Sequence, residues 1–328
     1  MTVDDLFAAY SGPAPGASVV VIRDGRVIVR AAYGMADIER HSAATPETDY
    51  RLASLTKQFT ATAVMLLVKD GKLHYDQPIR DFLPELPPAA TGVTVRHLLN
   101  HTSGLVDYED LIPASRTTQL DDRDVLALLA SKDSVYFAPG AQYRYSNSGY
   151  VLLGLIVARI SGMSLPAFLR TRIFEPLGMS ATVMHVEGSD TVPHRAYGYS
   201  PQGGGFVQTD QSVTSATLGD GGIYSNVDDL VRWDQALAGA ALVDSITLAL
   251  ATTPPQLPAG ATTDYGFGWW VDSYRGEPRW RHTGETSGFR NAIQRFPSRR
   301  LTVIVLTNRS SGEPQAIVER IVDRLLFR

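Results

Sequence analysis

The chain has no cysteine, which excludes disulfide staples, thiolate nucleophiles and cysteine-ligated metals. Lysine is scarce, occurring only at Lys57, Lys69, Lys72 and Lys132. A net charge of −4 gives no basic footprint for nucleic acid or an anionic membrane, so neither is expected as a partner. No run approaches the roughly 20 apolar residues of a membrane span. Met1-Thr2-Val3-Asp4-Asp5-Leu6 has no basic region leading into an apolar core, so no signal peptide is read there. The expected location is the cytoplasm; a chain trimmed of a leader would be periplasmic or secreted. What is present is ordinary for a globular protein of 328 residues, with 44% apolar and 20% charged residues, enough to bury a sizeable core.

Strand signals gather at the two ends. Ser18–Ile22 and Val27–Ala31 flank Asp24-Gly25, a strong hairpin signal because both turn residues tolerate positive φ. Tyr265–Asp272, Pro278–Gly284, Gly288–Phe296 and Leu301–Asn308 read as a meander with turns at Arg275-Gly276 and Pro297-Ser298. An amphipathic helix carrying Ile317, Val318, Ile321, Val322, Leu325 and Leu326 closes the chain. Between the ends the pattern is helical, with caps at Thr94, Ser164 and Asn226 and a further helix opening at Asp121-Asp122-Arg123-Asp124. This organisation predicts an α/β fold: an antiparallel sheet formed from both chain ends and flanked by helices, with an inserted mostly helical domain. Residues 1–75 and 226–328 are assigned to the α/β domain and 76–225 to the helical one.

The chemistry centres on Arg51-Leu52-Ala53-Ser54-Leu55-Thr56-Lys57. The spacing predicts a helix from Ser54 to about Val68, apolar on one broad face and stopped at Asp70-Gly71. Ser54 then lies in the first turn, with Lys57 one turn on and on the same face. A helix start favours negative charge near Ser54, and a desolvated lysine can act as a base. Two further clusters could meet this pair. Tyr145-Ser146-Asn147, read as a loop, offers a phenol for proton relay and an amide for a substrate carbonyl. His282-Thr283-Gly284 lies on an expected strand, where a glycine lets substrate backbone approach. His97 and His101 lie four apart without a third ligand, so they are read as structural; no metal or cofactor is expected. Tyr265, Phe267, Trp269 and Trp270 suit either a cleft wall or the core.

Ser-x-x-Lys, Tyr-x-Asn and a basic residue-Thr-Gly, in that order, resemble the serine β-lactamase and penicillin-binding-protein superfamily. The Tyr-x-Asn form is similar to its class C branch, with family VIII esterases, DD-carboxypeptidases and D-aminopeptidases. His97–Leu105, Tyr145–Tyr150, Glu175–Met179 and Tyr265–Trp269 extend the resemblance over nearly the whole chain. It implies that Ser54 forms an acyl-enzyme while Lys57 and Tyr145 move the proton. It also implies that Asn147, His282, Thr283 and Gly284 bind substrate, and that backbone N–H groups of Ser54 and Glu285 form the oxyanion hole. His282 stands where true β-lactamases have lysine. Glu285 shares a face with Thr283 by strand alternation and would repel a substrate carboxylate, unless it turns aside to pair with Arg281 or Arg290. The expected function is therefore a serine hydrolase on a small ester or amide, including one bearing an amine. A DD-peptidase or β-lactamase is the alternative within the class, and a penicillin-binding sensor without turnover the alternative outside it. No sequence feature sets the oligomeric state.

Overall fold

A computed structural model describes residues 2–189 and 191–327. Both ends of the chain contribute to one antiparallel sheet. Its strands are β1 (Ala17–Arg23), β2 (Arg26–Tyr33), β3 (Trp270–Tyr274), β4 (Glu277–Thr286), β5 (Phe289–Phe296) and β6 (Leu301–Thr307), in the spatial order β3-β4-β5-β6-β1-β2. The two ends meet where β1 pairs with β6, from Ala17 opposite Thr307 to Arg23 opposite Leu301. Asp24 and Gly25 both take positive φ, as do Arg275 and Gly276, which gives the tight twist-matched turns of two-residue hairpins.

β1 is apolar on both faces because the sheet is a middle layer. Val19 and Val21 pack with Phe7 and with Val318 and Val322 of the C-terminal helix, whereas Val20 and Ile22 join the main core. That core continues into the helices α1 (Lys57–Lys69), α2 (Val95–Leu99), α3 (Asp122–Ala130) and α4 (Asn147–Ser161), then α5 (Val227–Ala238). The observed architecture is thus α/β, with helices on both faces of the sheet and a helical region inserted between β2 and β3.

Four local expectations are corrected. Ser54 does not begin the α-helix: Ala53–Thr56 form a 3-10 turn, Ala53 adopts φ 50°, and α1 starts at Lys57. The cause is the sharp turn out of the short strand Tyr50–Arg51, where Leu52 N–H is held by Ile223 O at 2.8 Å. α1 is buried from Lys57 to Leu67 rather than on one face, because the sheet side and α4 enclose it. Asn147 is not on a loop but opens α4, with Ser146 as its cap. Finally, Tyr265–Trp269 is not strand. Gly268 sits at φ 78°, and a Cβ there would lie 2.8 Å from Lys57 O, so this stretch is an irregular clamp on the start of α1.

Candidate active site

The Ser54–Lys57 pair is brought together by helical geometry, with Lys57 Nζ 2.9 Å from Ser54 Oγ. Lys57 is fully buried, and its ammonium also reaches Asn147 Oδ1 at 2.8 Å and Asp220 O at 3.0 Å. Two of these partners can only accept, whereas the serine hydroxyl can donate or accept. The arrangement therefore satisfies lysine as an ammonium, and equally as an amine accepting the Ser54 proton. Asn147 Nδ2 donates to Glu109 Oε1 at 3.0 Å, which fixes the amide orientation, since lysine has no acceptor and a carboxylate no donor. Asn147 N–H is held in turn by Asp107 Oδ2 at 2.9 Å.

The approach to Ser54 is tethered from the sheet. Asn291, on β5 and fully buried, donates Nδ2 to Arg51 O at 2.8 Å and to Leu52 O at 3.3 Å, while its Oδ1 accepts from Thr307 N at 3.1 Å. Next to it on β4, Gly284 passes so close to the same segment that a Cβ would lie 2.1 Å from Leu52 O. Glycine at 284 is required by that approach, which sets Glu285 beside Ser54.

Tyr145 presents its ring: Lys57 Nζ lies 5.0 Å from the ring centroid, and the Trp270 ring lies parallel to it with centroids 6.5 Å apart. Among the described residues its hydroxyl makes no hydrogen bond to Ser54 or Lys57. His282 is buried, with Nδ1 2.6 Å from Thr283 O and Nε2 2.9 Å from Tyr265 OH. A carbonyl only accepts, so Nδ1 carries the proton, and in the neutral ring Nε2 accepts from the phenol. Burial, with Lys57 nearby, pushes His282 down to about 3. The ring is therefore neutral, unlike the lysine it replaces. Glu285 lines the Ser54 cleft, of about 50 Å³, and also pairs with Arg290 at 3.5 Å. Arg290 is shared with Glu313 at 3.1 Å, so Glu285 keeps much of its charge.

His97 and His101 each hold a backbone N–H. His97 Nδ1 accepts from Thr94 N–H, and His101 Nδ1 from Ser146 N–H, the latter a tie between the two loops. Tyr265, Phe267 and Trp269 are buried in the core, and the Tyr145 ring is met by Tyr265 from within it and by the half-buried Trp270. Sequence reasoning missed Glu109, Asp220 and Asn291 as parts of this site, and left Tyr265 open between cleft wall and core. Asp220-Gly221-Gly222 was legible only as a loop, yet the Asp220 backbone carbonyl holds Lys57. Its buried carboxyl accepts from Tyr108 OH at 3.2 Å through Oδ2, while Oδ1 has no partner; burial raises its pKa despite Lys57.

A Beta-lactamase family model matches residues 3–326. Among characterised relatives, Penicillin-binding protein 4* of Bacillus subtilis (strain 168) is 32% identical, over 94% of this chain and 72% of its own length. D-aminopeptidase of Gluconobacter oxydans (strain 621H) is 30% identical over 92% of this chain but only 57% of its own, so this chain spans just over half of that relative. Among solved structures, D-amino acid amidase from Ochrobactrum anthropi SV3, complexed with L-phenylalanine amide, superposes with a TM-score of 0.82. It is 27% identical, over 99% of this chain and 95% of the other.

Proposed function

Since this chain belongs to the beta-lactamase family, we propose that it is a serine hydrolase cleaving small amides that carry a free ammonium group near the scissile carbonyl. The charge balance around Ser54 carries this reading. Glu109, Asp220 and Glu285 line the cleft. Lys57 is fully engaged, the Arg51 guanidinium is turned onto Ser215 O and Gln211, and His282 is neutral. A substrate carboxylate, as on a penicillin or a peptidoglycan stem, finds no exposed cation among the described residues of the cleft, where Arg51 is buried in the wall, whereas an ammonium finds acceptors. The relatives named D-aminopeptidase and D-amino acid amidase support the same substrate class.

In the proposed mechanism Ser54 Oγ attacks the carbonyl carbon as its proton passes to Lys57, with the Tyr145 hydroxyl completing the relay. The backbone N–H groups of Ser54 and Glu285 hold the oxyanion. The C–N bond breaks, the relayed proton leaves with the amine, and water then cleaves the Ser54 ester to release the acid. Proton transfer of this kind contributes roughly 10²–10⁴-fold. Asn147 orients the substrate carbonyl and Lys57 together.

The test is a panel of D- and L-amino acid amides, their N-acetyl derivatives, p-nitrophenyl esters and nitrocefin, on wild type, Ser54→Ala, Glu109→Gln and Glu285→Gln. Free-amine amides should be the best substrates, with N-acetylation costing about tenfold or more in kcat/KM. The glutamine variants should narrow that gap, and Ser54→Ala should abolish turnover while leaving the fold intact. Equal rates on free and acetylated amides, or nitrocefin as the best substrate, would sink the proposal.

A further inference from the structure

The segment from Gln211 to Gly222 divides its residues between two spaces. Thr214, Thr217 and Asp220 face the Ser54 cleft, whereas Gln211, Ser215 and Leu218 line a second cavity of about 410 Å³. Arg51 lines both spaces, but its guanidinium bonds to residues of the second: Nη2 donates to Ser215 O at 2.7 Å, and Nη1 reaches Gln211 Oε1 only at 3.5 Å. Arg51 is 4% exposed, and its Nε–H has no partner among the described residues. A buried, unpaired guanidinium N–H asks for an acceptor, and a carboxylate is the matching shape.

The rest of the lining defines the other ends of a ligand. Leu155, Leu165 and Leu218 form an apolar wall. The carboxylates of Asp121 and Glu187 and the guanidinium of Arg123 stand at the exposed rim; Asp121 Oδ1 accepts from Arg123 and Asp124 N–H, Glu187 Oε2 lies 3.3 Å from His185 Nε2, and Asp122 Oδ1 accepts from Leu218 N–H. A simple anion would meet those rim carboxylates, and a simple cation would meet Arg51. Both signs and the apolar wall are matched together by a zwitterion with a hydrocarbon side chain. We propose that this cavity is a second binding site, separate from the Ser54 cleft, for a free α-amino acid with an apolar side chain. Its carboxylate takes the Arg51 Nε–H, its ammonium points to Asp121 and Glu187, and its side chain lies on the leucines.

Arg51 immediately precedes Leu52-Ala53-Ser54 and holds the loop that carries Asp220, so occupancy of the cavity bears on both walls of the Ser54 cleft. The inference does not depend on which bond Ser54 cleaves.

The experiment is calorimetric titration of the full chain with D- and L-leucine, with isoamylamine, which lacks the carboxylate, and with isovalerate, which lacks the ammonium. Leucine should bind with a Kd of about 1 mM or tighter, and each truncated probe at least about tenfold more weakly. Blocking Ser54 with a phosphonate should leave leucine binding intact. Leu155→Trp, which fills the cavity, should remove it. Glu187→Gln, a rim change that spares the core, should weaken leucine but not isovalerate, and it serves where Leu155→Trp does not fold. The proposal is overturned if leucine does not bind, if binding is unchanged in either folded variant, or if the phosphonate abolishes it.

Discussion

Asn291 ties the central sheet to the backbone entering Ser54, and its replacement separates positioning from packing. In Asn291→Ala three acceptor or donor groups lose a partner: Arg51 O, Leu52 O and Thr307 N–H. All sit in the interior, where an orphaned polar group costs about 1–3 kcal/mol. Counting the short Arg51 bond and the Thr307 bond fully, and the 3.3 Å bond to Leu52 O lightly, the loss is about 3–5 kcal/mol. Ala53, at φ 50°, is held in a conformation that costs of order 1–3 kcal/mol on its own, so the freed segment has a reason to relax. A displacement of Ser54 by about 1 Å is worth roughly 100-fold in rate. Asn291→Asp refines the test, because aspartate still accepts from Thr307 N–H but repels the two carbonyls. The measurements are denaturant unfolding and kcat with the best amide substrate. Both variants should lose kcat by about 10–100-fold with little change in KM, and Asn291→Asp, which buries a carboxylate against two carbonyls, should be no more stable than Asn291→Ala. If stability falls while kcat stays within about threefold of wild type, the tether does not position Ser54.

Two further outcomes follow from the geometry. His282 has a folded-state pKa of about 3 against an ordinary 6.5, and His101 is shifted the same way by burial. The unfolded chain therefore takes up these protons first, so their contribution to stability is complete above pH 6.5 and lost as pH falls toward 3. Unfolding free energy measured against pH should fall less steeply in His282→Gln than in wild type over that window; identical slopes would mean that His282 is not buried and neutral. Gly268→Ala places a methyl 2.8 Å from Lys57 O at φ 78°. It should lower stability by about 2–4 kcal/mol and disturb the start of α1, and an unchanged melting temperature would contradict the close approach described here.

How much of this was legible beforehand differs from element to element. Wherever the deciding interaction is local, the sequence was enough. Asp24-Gly25 and Arg275-Gly276 specify their hairpins because the turn needs positive φ at both positions, and Thr94, Asp121, Ser164 and Asn226 cap their helices because each oxygen lies two or three residues from the N–H it accepts. Ser54 and Lys57 were legible as a pair for the same reason, a three-residue spacing on one helical face, although the 3-10 turn at Ala53 was not. That turn depends on Leu52 bonding to Ile223, far along the chain.

The sequence by itself determined the groups available: one serine with a lysine three residues on, a Tyr-x-Asn, a His-Thr-Gly-Glu and no cysteine. Tertiary structure decided their electrical state and their partners. Burial against Tyr265 and near Lys57 makes His282 neutral, and Arg290, shared with Glu313, leaves Glu285 charged at the cleft. Asp220 supplies a carbonyl to Lys57 from 163 residues away, and Asn291 holds Arg51 O from 240. The physical reason is that charge and hydrogen-bond satisfaction are set by solvent exclusion and by groups brought together only on folding.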